Sequence, residues 1–300
     1  MYHKIILILL FATIFHSSVF AQDKEKDKTV TDTVKGKIIE KKKDVTAPET
    51  QKEKIVEKKL SKSIYGVPQF LHETVLFAKQ PTKWGGRDWI KFGAVVGITF
   101  AAMPFDERIT NSTGKLVGPP GGPYSIAGQR YFYSAPIVGG RVYGEPYSIL
   151  GVSAIFVGYG LIAHDTAAKK ISIELFQAGA YAEAMTEVLK VIVGRERPIA
   201  TDNSFTYRPF SLTNYNFQSM PSGHTTAAFA LSTVMSRHAH STFLKILAYV
   251  PAGFTMFSRI YQHQHWLSDE IPGAAVGFFT GNWVVDLHEG KRHRIIVPVN

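Results

Sequence analysis

Residues 171–194 read ISIELFQAGAYAEAMTEVLKVIVG, followed by Arg195, Glu196, Arg197 and Pro198. A stretch this long and rich in Ala, Leu and Met is too long for a typical strand and predicts a helix. Five further apolar stretches read the same way: 89–105, 147–163, 224–236, 243–258 and 271–285. Polar or Gly/Pro-rich connections separate them, with no strand alternation and no internal repeat. The expected architecture is all-α, a bundle of about six main helices with the active site at one end.

Outside these helices the composition divides the chain. Its 300 residues are 45% hydrophobic, enough for a real core. The absence of cysteine excludes a disulfide framework, a thiolate metal site and a cysteine nucleophile. Residues 1–21 read as an export signal: Lys4, an apolar run from Ile5 to Phe15, then Val19 and Ala21 as small residues before a cleavage point. Residues 22–62 hold 13 Lys and 9 acids with no aromatic side chain. Such a segment cannot bury enough apolar area to offset its ordering entropy, so a charged disordered tether is expected. Its interleaved acids argue against a nucleic-acid partner and make the net charge of +10 weak evidence about partners. Residues 63–300 are left as the helical domain. Within it, residues 111–147 carry 8 Gly, 5 Pro and 5 Tyr and read as a folded surface loop rather than an element.

Three short motifs carry chemistry. Lys190 and Arg197-Pro198 close the third helix. Seven residues are nearly two turns, which puts both cations on one face with Glu183 and Glu187, and Pro198 places Arg197 at the helix exit. Alone, this is more often a surface helix laced with ion pairs. Pro221-Ser222-Gly223-His224 opens the fourth helix. A helix N-terminus offers unpaired amides to an anion, Ser222 can cap or donate, and Gly223 admits close approach. Alone, it is more often an ordinary cap. Ser258-Arg259, His265 and Asp269 lie between the fifth and sixth helices. One helical turn would bring Asp269 within reach of an imidazole nitrogen, making the other nitrogen a better nucleophile or base. His263 lies nearby and reads as loop filler.

Chain direction brings the three together. If successive helices run up and down, the third ends, the fourth begins, the fifth ends and the sixth begins at one end of the bundle. Three cations, a helix N-terminus, two histidines and a carboxylate then share one face. That set suits a multiply charged anion, and phosphate above all. No carboxylate cluster or His-Glu-x-x-His pattern implies a metal.

In these motifs the sequence resembles the type-2 phosphatidic acid phosphatase / vanadium haloperoxidase superfamily, whose signature is K-x6-R-P, P-S-G-H and S-R-x5-H-x3-D. All eleven fixed residues are present in order and at the family's spacing, across 190–269. The resemblance implies a phosphatase needing no cofactor, acting on a phosphomonoester or diphosphate. It implies that His265 attacks phosphorus, that Asp269 orients His265, and that His224 protonates the leaving oxygen and then activates water. Lys190, Arg197, Ser222, Gly223 and Arg259 would bind the phosphoryl oxygens. A lipid-linked phosphate is the expected substrate. A soluble acid phosphatase of broad specificity is the second reading and a vanadium haloperoxidase a third.

Lys and Arg are concentrated on the side opposite the site, the bias of a membrane protein whose active site faces outward. Several apolar stretches hold only 13–17 residues, short for about 30 Å of hydrocarbon. A membrane-associated, exported enzyme is expected.

Overall fold

The computed structural model describes residues 66–114, 125–126, 129–130 and 135–290. The export signal, the tether and much of the 111–147 stretch lie outside these residues. The helices run α1 (Val67–Ala78), α2 (Gly86–Ala102), α3 (Asp106–Gly114), α4 (Ala135–Tyr143), α5 (Pro146–Ile162), α6 (Thr166–Val193), α7 (Gly223–His238), α8 (Thr242–Leu247), α9 (Val250–Tyr261) and α10 (Leu267–His288). The six long elements expected from the sequence are here as α2, α5, α6, α7, α9 and α10, and the class is all-α. The chain divides into two compact units at Trp84 and Gly85. Of the first, the described part is α1 and a 3-10 turn, Gln80–Lys83. The second contains α2 to α10.

The core is built around α7, which packs against α6, α9 and α10. Its Ala227, Ala228, Ala230, Leu231, Val234 and Met235 are buried, and small residues let the neighbours close in. On α10, Gly273, Gly277 and Gly281 recur every four residues and form one stripe against α7. A Cβ on Gly277 would stand 2.3 Å from the Thr226 carbonyl oxygen, so only glycine permits this approach. The stripe sets the register that brings the start of α10 beside the start of α7, where Ser222 N–H donates to Asp269 O at 3.1 Å.

Four sequence expectations change. First, α6 ends at Val193, because Gly194 adopts the left-handed conformation (φ 59°) and its N–H returns to Lys190 O. Arg197 therefore lies beyond the helix, and helical spacing does not put it on the face of Lys190; a folded-back segment does. Second, the stretch 243–258 is two helices, since Pro251 stands in the first turn of α9, where its missing N–H leaves no gap. Third, 111–147 is not all loop: α4 lies in it, with a two-residue antiparallel ladder pairing Ser125–Ile126 with Gln129–Arg130. The helix-poor glycines of α4 are overridden by packing on α9, where Thr255 Oγ1 donates to Gly140 O at 2.7 Å and Ser258 Oγ to Ile137 O at 2.8 Å. Fourth, α10 begins after His265, so Asp269 is not one helical turn along from it.

The helical stretch Gly86–Thr113 is long and apolar enough to cross a membrane. The pair Ile137–Tyr143 and Pro146–Ile162, bent by 68°, passes the same test only if taken as one span. The outer face of α2 exposes Trp89, Ile90, Phe92, Ile98 and Phe100.

Candidate active site

The three motifs meet. An added Cβ on Gly223 would lie 3.1 Å from Lys190 Nζ, which joins the end of α6 to the start of α7. Arg197 Nη1 approaches His265 Nε2 at 3.2 Å, which joins the segment after α6 to the loop before α10. The Ser222–Asp269 backbone bond closes the third side. All of these residues except His224 are buried, and His265 is 2% exposed.

Arg197 is held by carbonyl groups. Its Nε donates to Tyr215 O at 3.2 Å, Nη1 to Gln264 O at 3.1 Å and Nη2 to Gln218 O at 2.9 Å, and its guanidinium lies 4.0 Å from the Tyr215 ring centroid. Arg259 bonds the Gln262 side chain, while its Nε has no partner among the described residues. Neither guanidinium forms an ion pair with a carboxylate of the described residues. Two buried cations without counter-ions form a site short of negative charge. Burial, reinforced by the nearby Arg141, lowers Arg259 to about 10. Lys190 differs, since its Nζ reaches Glu187 Oε1 at 2.5 Å.

The start of α7 faces the same space. Ser222 is its N-cap residue but makes no side-chain cap; its Oγ donates to Thr225 Oγ1 at 3.3 Å. The first-turn amides thus keep the open end that suits an anion. His224 Nε2 lies 3.3 Å from Glu145 Oε1, at the start of α5. Burial lowers the pKa of His224 and Glu145 opposes it, while contact with His224 holds Glu145 below the usual carboxylate range.

At His265 the bonding pattern assigns the tautomer. Nδ1 lies 2.7 Å from the Ser219 carbonyl oxygen, which can only accept, so Nδ1 carries the proton and Nε2 presents a lone pair beside Arg197. Burial, then the charges of Arg197, Arg259 and Lys190, lowers this imidazole well below its ordinary pKa, so it is neutral at pH 7. Asp269 Oδ2 is 3.8 Å from Nδ1, too far for a hydrogen bond. The carboxylate instead accepts from Trp266 N–H at 2.8 Å, as the N3 residue of a capping box, and from Ser219 Oγ–H at 2.5 Å. Its other oxygen accepts from Arg195 Nη1 at 2.7 Å. His263 stands apart, 3.2 Å from Thr113 Oγ1.

The motif reading missed Ser219, Glu145 and Arg195. Arg195 stands two residues before the motif arginine and was visible as a second cation. Ser219 acts through its backbone carbonyl as well as its hydroxyl, and Glu145 arrives from a distant helix, so no local spacing marks either. Among the described residues, no group of three or more His, Cys, Asp or Glu side chains is arranged to hold a metal ion.

Residues 173–292 match the family model described as PAP2 superfamily. A lipid A 1-phosphatase of Porphyromonas gingivalis is 42% identical over 74 residues, 23% of this chain and 17% of that protein. A lipid A 4'-phosphatase of the same organism is 34% identical over 73 residues, 24% of this chain and 31% of that protein. The chain thus spans less than a third of either relative. Among solved structures, the transmembrane PAP2 type phosphatidylglycerolphosphate phosphatase of Bacillus subtilis superposes with a TM-score of 0.49 at 20% identity, covering 69% of this chain and 96% of that one. Aquifex aeolicus LpxE gives 0.36 at 20% identity, with 50% and 83% covered.

Proposed function

We propose, starting from the match of residues 173–292 to the PAP2 superfamily model, that the protein is a phosphatase that hydrolyses a lipid-linked phosphomonoester or diphosphate through a phosphohistidine, without a metal. The observation that carries this reading is the tautomer of His265, a neutral ring whose Nε2 lone pair lies 3.2 Å from Nη1 of the buried Arg197, a guanidinium with no carboxylate partner among the described residues.

The substrate phosphoryl group lies among Lys190, Arg197, Arg259, Ser222 and the Gly223 amide. His265 Nε2 attacks phosphorus, and the bond from phosphorus to the ester oxygen breaks. His224 gives its proton to that oxygen, which leaves as the alcohol, or as a phosphate if the substrate is a diphosphate. His224 then takes a proton from water; the water oxygen bonds to phosphorus, the phosphorus–nitrogen bond breaks, and inorganic phosphate departs. The fixed cations match the charge that develops on the equatorial oxygens. Such preplaced electrostatics is usually the largest catalytic term, and phosphoryl transfer depends on it almost wholly. Asp269 holds the loop and the Ser219 side chain rather than the imidazole itself.

Two features support a lipid substrate at a membrane. The relatives with 42% and 34% identity are lipid A phosphatases. The helix Gly86–Thr113 is long and apolar enough to span, and α2 carries exposed Trp89, Ile90, Phe92 and Phe100. Export by residues 1–21 to the outer side of the membrane belongs to the same proposal.

The test is phosphate release from phosphatidate, lipid A and small soluble phosphoesters, with chelator present, by membrane-fraction protein and its His265→Ala variant. Release from lipids that vanadate inhibits and H265A abolishes is the expected result. Release only from soluble esters, or retained turnover in H265A, contradicts it.

A further inference from the structure

Behind the motif residues lies a second buried layer that the reaction above does not use. Arg195 is fully buried, and its guanidinium lies between two fully buried carboxylates. Nη1 donates to Asp269 Oδ1 at 2.7 Å and to Ser268 Oγ at 2.6 Å; Nη2 donates to Asp106 Oδ2 at 2.7 Å and to Ser204 O at 2.7 Å; Nε donates to Ser204 O at 3.0 Å. Trp266 and Tyr207 cover it, with ring centroids 5.6 and 5.7 Å away. Asp106 also accepts from Ser268 N–H at 2.9 Å and from Ser268 Oγ at 2.5 Å, which ties the first turn of α3 to the first turn of α10. Glu107, beside it, accepts from Ser204 N–H at 2.9 Å and Oγ at 3.0 Å.

We propose that Arg195, braced by Asp106, is a positioning residue for the reaction: it fixes the Asp269 carboxylate, which in turn holds Ser219 and the backbone that carries His265. The path is continuous. Arg195 takes one oxygen of Asp269; the other oxygen takes Ser219 Oγ–H and Trp266 N–H; the Ser219 carbonyl takes His265 Nδ1–H. Arg195 itself touches no atom of the phosphate pocket. A planar fork with five donors makes all five of these bonds, whereas an ammonium has only three donors. Two carboxylates and one guanidinium leave this layer with a formal charge of −1, next to a pocket rich in cations. Without Arg195, Asp106 and Asp269 would face each other with no cation between them, and Asp269 would lose its only ionic anchor among the described residues.

This inference rests on His265 being the nucleophile, so its test keeps the two apart. Steady-state kinetics are measured on detergent-solubilised phosphatidate and on p-nitrophenyl phosphate for the full-length wild type, H265A, Arg195→Met, Arg195→Lys and the double variant R195M/Asp106→Asn. H265A reports on the nucleophile alone. R195M is expected to lose about 100-fold or more in kcat with KM within about threefold, since removing one partner of a buried charge network is costly and this one contacts no substrate. The double variant is expected to regain about tenfold, because it removes the second uncompensated carboxylate; contacting groups couple in any role, so it is the split between kcat and KM that separates positioning from a merely structural role. R195K, which keeps the charge but loses the fork, is expected about tenfold down in kcat. If R195M does not fold, R195K and the double variant carry the test. Wild-type kcat in R195K, a loss confined to KM, or a double variant no better than R195M overturns the inference even when H265A is inactive. No phosphate release by wild type on either substrate or on lipid A overturns both this inference and the proposed function.

Discussion

The imidazole of His265 donates through Nδ1 to the carbonyl oxygen of Ser219 at 2.7 Å, while Asp269 stands 3.8 Å from the same nitrogen. A backbone carbonyl cannot donate, so this bond alone fixes the tautomer. Amidating the aspartate of a serine-protease triad, where that residue is the holder of the tautomer, costs about 10⁴ in kcat. Here Asp269→Asn is expected to cost less, about 10–100-fold, through disturbance of Ser219, Trp266 and Arg195. Steady-state kinetics check this, and a loss near 10⁴ would show that Asp269 contacts the imidazole directly during turnover.

Glu145 lies 3.3 Å from His224, the proposed acid. Burial favours neutral His224, and the carboxylate opposes it by favouring the imidazolium. Glu145→Gln removes that support, so His224 loses its proton at lower pH. The alkaline limb of kcat/KM is expected to move to lower pH, with the acid side unchanged. A pH–rate profile of the two proteins decides it; an unmoved alkaline limb would take Glu145 out of the account.

Glu270 is fully buried beside Thr225, and burial, with the Asp269 charge next to it, raises its carboxyl from 4.5 to about 8. The folded protein therefore holds a proton that the unfolded chain releases. Its contribution to stability is whole below pH 4.5 and is lost as the pH rises to about 8. Glu270→Gln, neutral at every pH, is expected to flatten that decline. Thermal unfolding between pH 5 and pH 9, in about half-unit steps, measures it. A variant that declines as steeply as wild type would refute the assignment.

Gly277 allows α10 to lie against α7. Replacing an interior helical Gly by Ala ordinarily stabilises by about 1 kcal/mol. At this position the new Cβ would meet backbone, Thr226 O at 2.3 Å and Ala230 N at 2.8 Å. Overpacking against atoms that cannot rotate away costs about 1–3 kcal/mol or more, so the clash wins. Gly277→Ala is expected to unfold about 1–2 kcal/mol more easily and to lose activity, because the stripe holds Ser222 next to Asp269. Chemical denaturation in detergent tests this, and a stabilised variant would contradict the packing described.

Much of this arrangement was legible in the sequence. The helical class and most of the main helices follow from apolar runs bounded by Gly and Pro, and the three motifs, read as helix ends and starts, were expected at one end of the bundle. What was not legible depended on tertiary contact. Helical spacing alone put Arg197 on the face of Lys190, yet Gly194 ends the helix and the chain folds back to bring Arg197 to His265. The turn spacing of His265 and Asp269 suggested a direct bond, yet the helix begins two residues after His265 and uses Asp269 to cap itself. Asp106 gave no signal, because its partners, Arg195 and Ser268, lie 89 and 162 residues away along the chain.

The central claim is a covalent one, and trapping the intermediate tests it most directly. Protein mixed with radiolabelled phosphatidate is quenched in alkali, where a phosphoramidate survives, then digested and sequenced. Label on the peptide containing His265, accumulating further in His224→Ala and absent in H265A, is the predicted result. Phosphate release at the full rate with no label on that peptide, or label that persists in H265A, would contradict it.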